Sequence, residues 1–295
     1  MLAQPVETID REDRLLGAGD EHNLERFLAA QGDGTLLMLS NLRTAGLIDR
    51  GEFYQGTYAA RLWDGAVSGV VGHFWNGMAL LQANEGLGPL LELAVGGSGR
   101  RLSGFYGPAE QVAAAKRTLG LAGSDIRHDS LERLYALDLA QLARPNPLAD
   151  GEVRCRRPRS SELELLMNWR VAMSVEVLGA KDTAETHAES KASVQAHFDG
   201  RSVWVLERRG RLVSTCSVIG QTERAVQIGG VWTPEALRGR GFARAVVAGA
   251  LAEARRTGHD RACLISANPA AERAYRALGF AALSEVGLVL LNGER

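Results

Sequence analysis

The stretch "GGVWTPEALRGRGFARAVVAGALAEARR", Gly229 to Arg256, constrains this chain more than any other. An extended segment ends at Thr233-Pro234, glycines follow among arginines at Arg238–Gly241, and an apolar helical run begins directly afterwards. A strand that turns so tightly into an apolar helix must lay that helix back on a sheet, which is an α/β arrangement. Glycines also let successive backbone N–H groups face a common point, and the helix N-terminus adds partial positive charge. With Arg238 and Arg240 on its flanks, the loop suits a phosphate or pyrophosphate better than a sugar or a bare metal ion. Taken alone it reads equally well as an ordinary turn before an amphipathic helix. A dinucleotide fingerprint is excluded, because the third glycine would fall at Arg244 and no acidic ribose ligand ends a second strand. A nucleotide P-loop is excluded too, since the Gly-Lys-Ser/Thr ending is missing.

The segments around this loop set its context. "SELELLMNWRVAMSVEVLG" predicts a helix with Ser160 or Ser161 as N-cap and Gly179 as stop, and "DTAETHAESKASVQAHFDG" a more polar one. "SVWVLERRGRLVSTCSVIG" predicts two strands joined at Arg209-Gly210, and "ERAVQIGGVWTP" a third with a bulge at Gly229-Gly230. After the loop helix come a strand "RACLISA", a helix "PAAERAYRALG" and a last strand "AALSEVGLVLL". The order predicts an α/β fold (α+β by some schemes) with a mixed central sheet flanked by helices.

The first half repeats that order less clearly. "DEHNLERFLAAQ" and "GTLLMLSNLRTAGL" predict helices, and three strands follow with turns at Asp64-Gly65 and Asn76-Gly77. The glycine-rich "VGGSGRRLSG" stands where the second half has a clean helix lead-in. "RRLSGFYGP" predicts a strand, "AEQVAAAKRTLGL" a helix closed by Gly120, and "LERLYALDLAQL" a strand. "ARPNPLADGEVRCRRPRS" breaks every periodicity and is the expected linker, with Arg154, Arg156, Arg157 and Arg159 read as solvated linker and strand edge. A length of 295 residues accommodates two domains, 1–150 and 151–295.

"GGVWTPEALRGRGFARAVV" followed by "CLISANPAAERAYRALGF" resembles the GNAT superfamily of acyl-CoA-dependent N-acetyltransferases. There the acyl-CoA pyrophosphate is held by a loop Arg/Gln-x-x-Gly-x-Gly/Ala, matched by Arg238, Gly241 and Ala243. The resemblance implies that Arg238, Gly239, Arg240, Gly241, Phe242, Ala243 and Arg244 wrap the phosphates, and that Gly230, Val231, Trp232 and Thr233 pair with the pantetheine arm. It further implies an asparagine at the end of the next strand, Asn268, and a tyrosine near the acyl sulfur, Tyr275. It covers about Arg154 to Leu291; residues 1–150 resemble a degenerate copy that lacks the loop and the Asn–Tyr pair, so the tandem places the acyl-CoA site in residues 151–295.

By this resemblance acetyl-CoA, or another short acyl-CoA, is the donor, and no metal is implied. N–H groups near Val231 and Trp232 would stabilise an oxyanion and Tyr275 would protonate the leaving thiolate, although Tyr275 equally fits one side of a packed amphipathic helix. Asn268 can bond the pantetheine, cap the following helix, or do both. Glu176 is the candidate base, against a plain reading as a solvated helix glutamate, and Glu235 is placed simply to offset Arg238. His73, His187 and His197 read as surface or satisfied core residues with no metal spacing. Cys155, Cys216 and Cys263 form no disulfide or zinc pattern and offer no convincing nucleophile, so direct attack in a ternary complex is expected.

The expected activity is transfer of acetyl from acetyl-CoA to an amine, on a small molecule or an exposed protein amine. The alternative is a non-catalytic acyl-CoA-binding or regulatory module. With 34 basic and 35 acidic side chains the formal charge is −1, so nothing attracts nucleic acid generally. No apolar run approaches the roughly 20 residues of a membrane helix, and the N-terminus has no apolar signal core, so a cytoplasmic location is expected.

Overall fold

A computed structural model describes residues 11–145, 148 and 150–293. Its contacts divide the chain into two compact units, residues 1–129 with 286–295, and residues 130–285. Within the expected linker, Asn146, Pro147 and Ala149 lie outside the described residues, as does the start of the N-terminal segment.

In unit 1 the sheet runs β1 (Arg11–Leu15), β2 (Gly56–Trp63), β3 (Ala66–Phe74), β4 (Met78–Gln82), β5 (Gly104–Pro108) and the C-terminal part of β12 (Ala281–Leu291). Only β4 and β5 pair in parallel; the other neighbours are antiparallel. Alternation along each strand sends successive side chains to opposite faces. Ala60, Val70 and Leu80 meet α1 (Glu21–Ala30) and α2 (Leu36–Ala45), while Ala59, Val71 and Leu81 meet α3 (Leu87–Ser98) and α4 (Ala109–Thr118).

Helix α3 occupies the glycine-rich stretch where the sequence offers no clean helix. Leu87, Leu90, Leu91 and Ala94 form an unbroken buried stripe at helical spacing, which outweighs the low propensity of Gly96 and Gly97. A Cβ at Gly97 would come within 2.6 Å of the Leu15 side-chain tip, which would have to shift to admit it. Strand β1 has no counterpart among the expected elements; it is a polar edge strand tied down by Asp13, which accepts two hydrogen bonds of 2.6 Å from Arg61.

Unit 2 has the same element order. Its sheet runs β7 (Arg154–Arg156), β8 (Val203–Arg208), β9 (Arg211–Gln221), β10 (Ala225–Trp232), β11 (Arg261–Ser266) and the C-terminal part of β6 (Ile126–Asp138). Here β10 and β11 are the parallel pair. Val203 and Val205 face α5 (Leu163–Leu178) and α6 (Ala184–Asp199), while Trp204 and Leu206 face α7 (Phe242–Arg256) and α8 (Pro269–Arg276).

A cut at 150/151 therefore does not follow the contacts. Tyr135 and Leu137 on β6 are packed in one core with Leu264 and α7, and Val289 and Leu291 on β12 are packed with Phe105 and α3. Cutting at 150 would separate each strand from the core that buries it. Two local expectations also change. Helix α5 starts after a short 3-10 turn, Ser160–Glu162, with Arg159 rather than a serine ahead of it, and Gly179 closes it in the left-handed region as expected. The basic cluster is not uniformly solvated: Arg156 is ion-paired with Glu162 at 2.7 Å and with Glu207, and Arg157 stacks 3.7 Å over Trp204.

Candidate active site

The parallel pair β10–β11 holds together only part of the way. Pairing runs from Ala225–Arg261 to Ile228–Leu264 and then stops, although β10 continues to Trp232 and β11 to Ser266. The cause lies on the other edge of β10. Gly229 opposes Ser217 and Trp232 opposes Thr215, so three steps on β10 match two on β9, which is a bulge. Gly230 takes φ +58° there, a conformation that favours glycine. Backbone groups of Gly229 to Trp232 on the β11 side thus have no strand partner.

The loop that follows is built from the same kind of constraint. Gly239 and Gly241 sit at φ +75° and +76°, and Gly241 is the N-cap of α7 without a side chain to cap it. The N–H groups of Phe242, Ala243 and Arg244 form the first helical turn and have no intrahelical acceptor. Arg244 adds a buried Nε with no hydrogen-bond partner. Orphaned donors, a helix N-terminus and flanking arginines fit the pyrophosphate of an acyl-CoA.

Arg238 is fixed in place by three contacts. Its Nε donates to the Thr233 carbonyl at 3.0 Å, its guanidinium lies 4.9 Å from the Trp232 ring centroid, and it forms a two-bonded ion pair with Glu176. That pair holds the Glu176 carboxyl below its usual range. Glu176 on α5 is exposed and meets the loop arginine rather than any nucleophile. Among the described residues Arg240 reaches the Ala236 carbonyl, at 3.4 Å, and Phe242, the first residue of α7, is buried. The Thr233 hydroxyl donates to Ser214 Oγ, which donates to the Trp232 carbonyl, each at 2.9 Å. This buried chain pins the end of β10. Val231 is half-buried beside it.

Asn268 caps α8, accepting from Ala270 and Ala271 N–H at 2.9 and 3.3 Å through Oδ1. Capping uses the oxygen and leaves its amide donors outside the cap. Tyr275 is 5% exposed, packs edge-on against Phe280, and shares a core with Cys216, Ile228 and Val246. Burial pushes its hydroxyl well above the ordinary tyrosine range.

A cavity of about 200 Å³ lies in unit 2 beside the bulge, lined among others by Trp169, Arg170, His197, Thr215, Gly230 and Trp232. Gly230 and Trp232 belong to the unpaired end of β10, so the cavity abuts the stretch expected to take the donor. Sequence reasoning misses Arg170 and places His197 at the surface or in a satisfied core. His197 is instead a cavity residue whose Nδ1 lies 2.9 Å from Ser202 Oγ. Ser202 Oγ also lies 3.1 Å from the His197 carbonyl, which accepts from it when Nδ1 carries the ring proton. Burial, with help from Arg170, lowers its pKa to about 4. One signal is present: Leu166, Arg170 and Met173 fall on one helical stripe, so an arginine shares a face with buried apolar residues.

His73 is a satisfied core residue, bonded to Ser98 Oγ and to the Gly77 carbonyl, and His187 is an exposed partner of Asp182. Cys216 and Cys263 are fully buried; burial lifts Cys155 to about 12 and Cys216 well above the usual thiol. Among the described residues no group of three or more His, Cys, Asp or Glu is placed to hold a metal ion, and no helix is long and apolar enough to cross a membrane.

Residues 165–280, all within unit 2, match the acetyltransferase (GNAT) family. No curated protein sequence matches the chain. Among solved structures, a Drosophila protein superposes with TM-score 0.66 at 13% identity, covering 95% of this chain and 98% of its own. A GCN5-related N-acetyltransferase from Sphaerobacter thermophilus gives 0.57 at 17% identity, covering 96% of this chain and 95% of its own. The glucosamine N-acetyltransferase region of a fungal multi-domain β-N-acetylglucosaminidase gives 0.56 at 14% identity over 97% of this chain, which spans 39% of that longer protein. Over most of its length, this chain has the fold of the GCN5-related N-acetyltransferases.

Proposed function

We propose that unit 2 transfers an acetyl group from acetyl-CoA to an amine held in the cavity beside β10. The observation that carries this reading is the conjunction of the parted strands with the loop behind them. Gly229 to Trp232 offer unpaired backbone groups to an extended arm, and Gly239 to Arg244 offer orphaned N–H groups and the unpartnered Arg244 Nε to its phosphates. When bound, acetyl-CoA supplies an activated thioester carbonyl. N–H groups at Val231 and Trp232 hold the carbonyl oxygen, and the Tyr275 hydroxyl, kept protonated by burial, holds the proton that the leaving thiolate requires. Asn268 turns its amide donors to the arm while its oxygen caps α8. Because burial disfavours thiolates at Cys155 and Cys216, the amine attacks directly with both substrates bound. Glu176, paired with Arg238, becomes a positioning residue, and His197, its pKa held at about 4 by burial and Arg170, is too weak a base to take the amine proton, which passes to water.

Unit 1 is a second copy of the same element order that holds no acyl-CoA. The supporting observation is at Gly86, the N-cap of α3 and the counterpart of Gly241: the Arg61 guanidinium lies against it, fixed by Asp13.

A non-catalytic acyl-CoA-binding module is the second reading, favoured by the burial of Tyr275 and the engagement of Glu176 with Arg238. Thiol release from acetyl-CoA over a panel of amines separates the two. Amine-dependent release that drops about 100-fold in Tyr275→Phe supports transfer; tight acetyl-CoA binding with no release over any amine supports the module.

A further inference from the structure

The cavity beside β10 has an unusual charge for a site that would receive an amine. Among the described residues no aspartate or glutamate lines it, and its charged side chain is Arg170. Arg170 has no carboxylate within 4.0 Å among the described residues; its one polar contact is a 4.0 Å approach of Nη1 to the Met173 sulfur. Glu189, exposed on α6, acts on it only at longer range. His197, the other titratable group of the lining, is neutral and adds no negative charge. Arg170 is half-buried in the cavity, and an arginine stays charged in proteins, so a guanidinium with no carboxylate beside it in a partly dehydrated site favours an anion as its partner.

An ammonium ion alone would be repelled from this cavity. A molecule carrying both an amine and a carboxylate would not, because its carboxylate can take the planar, two-bonded pairing that guanidinium groups favour. Size points the same way: about 200 Å³ is smaller than the pockets that enclose drug-sized ligands, and Trp169 and Trp232 provide flat apolar walls for a short side chain.

We propose that the acceptor is a small amino acid or amino-acid-like amine whose carboxylate pairs with Arg170. This rests on the transfer reading for the amine's fate, but its recognition by Arg170 is measurable without turnover. Thr215 and Ser217, whose side chains come from the β9 face of the cavity, are placed to meet polar atoms between the carboxylate and the amine.

The test is calorimetric titration of the full chain, with CoA present, against free L-amino acids, the corresponding amino-acid amides and the decarboxylated amines. The proposal expects the carboxylates to bind at least tenfold more tightly than amides or decarboxylated amines. It expects Arg170→Gln to abolish that preference and Arg170→Lys to retain part of it, with CoA affinity unchanged in both. Equal binding of acids and amides, binding that ignores Arg170→Gln, or no binding by any member of the panel overturns it. Thiol release is followed in parallel with acetyl-CoA. Carboxylates that bind through Arg170 without releasing thiol leave the recognition by Arg170 standing and remove the transfer reading; amides acetylated as well as acids do the reverse.

Discussion

Glu176 on α5 and Arg238 in the loop after β10 are joined by two bonds, Oε1 to Nη1 at 2.6 Å and Oε2 to Nη2 at 2.9 Å. The pair links the helix that lines the cavity to the turn that precedes the glycines. It is solvent-exposed, with the Arg238 and Glu176 side chains 40% and 48% accessible, so its contribution to stability is small, below about 1 kcal/mol.

Glu176→Gln therefore changes the position of Arg238 and not the chemistry. Its expected signature is a several-fold rise in the KM for acetyl-CoA, with turnover within about twofold of wild type and an unchanged thermal midpoint. Steady-state kinetics across pH checks this. A roughly 100-fold loss of turnover, together with loss of the acidic limb of the pH profile, would instead make Glu176 the base.

Gly241→Ala separates backbone conformation from sterics. A Cβ at Gly241 would meet only the Arg244 side chain, at 3.8 Å, so no clash opposes it. The φ of +76° still penalises a side chain by about 1–2 kcal/mol. The loop is expected to relax, weakening acetyl-CoA binding tenfold or more while the core melts within a few degrees of wild type. Affinity by calorimetry and the thermal midpoint check the two halves.

Protonation of His197 sets an acid limit on unit 2. In the unfolded chain it binds its proton near 6.5, in the folded chain only near 4. Between those values the unfolded state holds more protons, so stability is full above about 6.5 and falls as the pH drops toward 4, by up to about 3 kcal/mol. Arg170 opposes the imidazolium throughout. Denaturant unfolding at pH 7 and pH 5 is expected to show a smaller pH effect in His197→Gln than in wild type.

Much of this arrangement is legible locally. Strand alternation at Val203–Leu206, the bulge at Gly229-Gly230 and the turn at Gly241 each follow from neighbouring residues, and so does the cap at Asn268. What escapes depends on contacts far apart in sequence. Arg170 and His197 meet only because α5 and α6 cover the same face of the sheet, and α6 looks like a surface helix because only Ser190 and Val194 of it are buried. Helix α3 is hidden by Gly96 and Gly97, whose low helix propensity masks the buried leucine stripe before them. The unit boundaries escape for a similar reason: β6 and β12 are packed in cores that the chain order alone does not assign to them.

The acyl-CoA site stands or falls on whether the loop from Gly239 to Arg244 grips a pyrophosphate while the parted strands take the arm beyond it. Titration of wild type and Arg244→Met with CoA, pantetheine and ATP tests this most directly. Arg244→Met removes the buried, unpartnered Nε, so the free protein is expected to be no less stable. CoA is expected to bind wild type far more tightly than either pantetheine, which lacks the pyrophosphate, or ATP, which lacks the arm, and to lose at least tenfold in Arg244→Met. Pantetheine or ATP binding as well as CoA, or CoA binding that ignores Arg244, would contradict such a site.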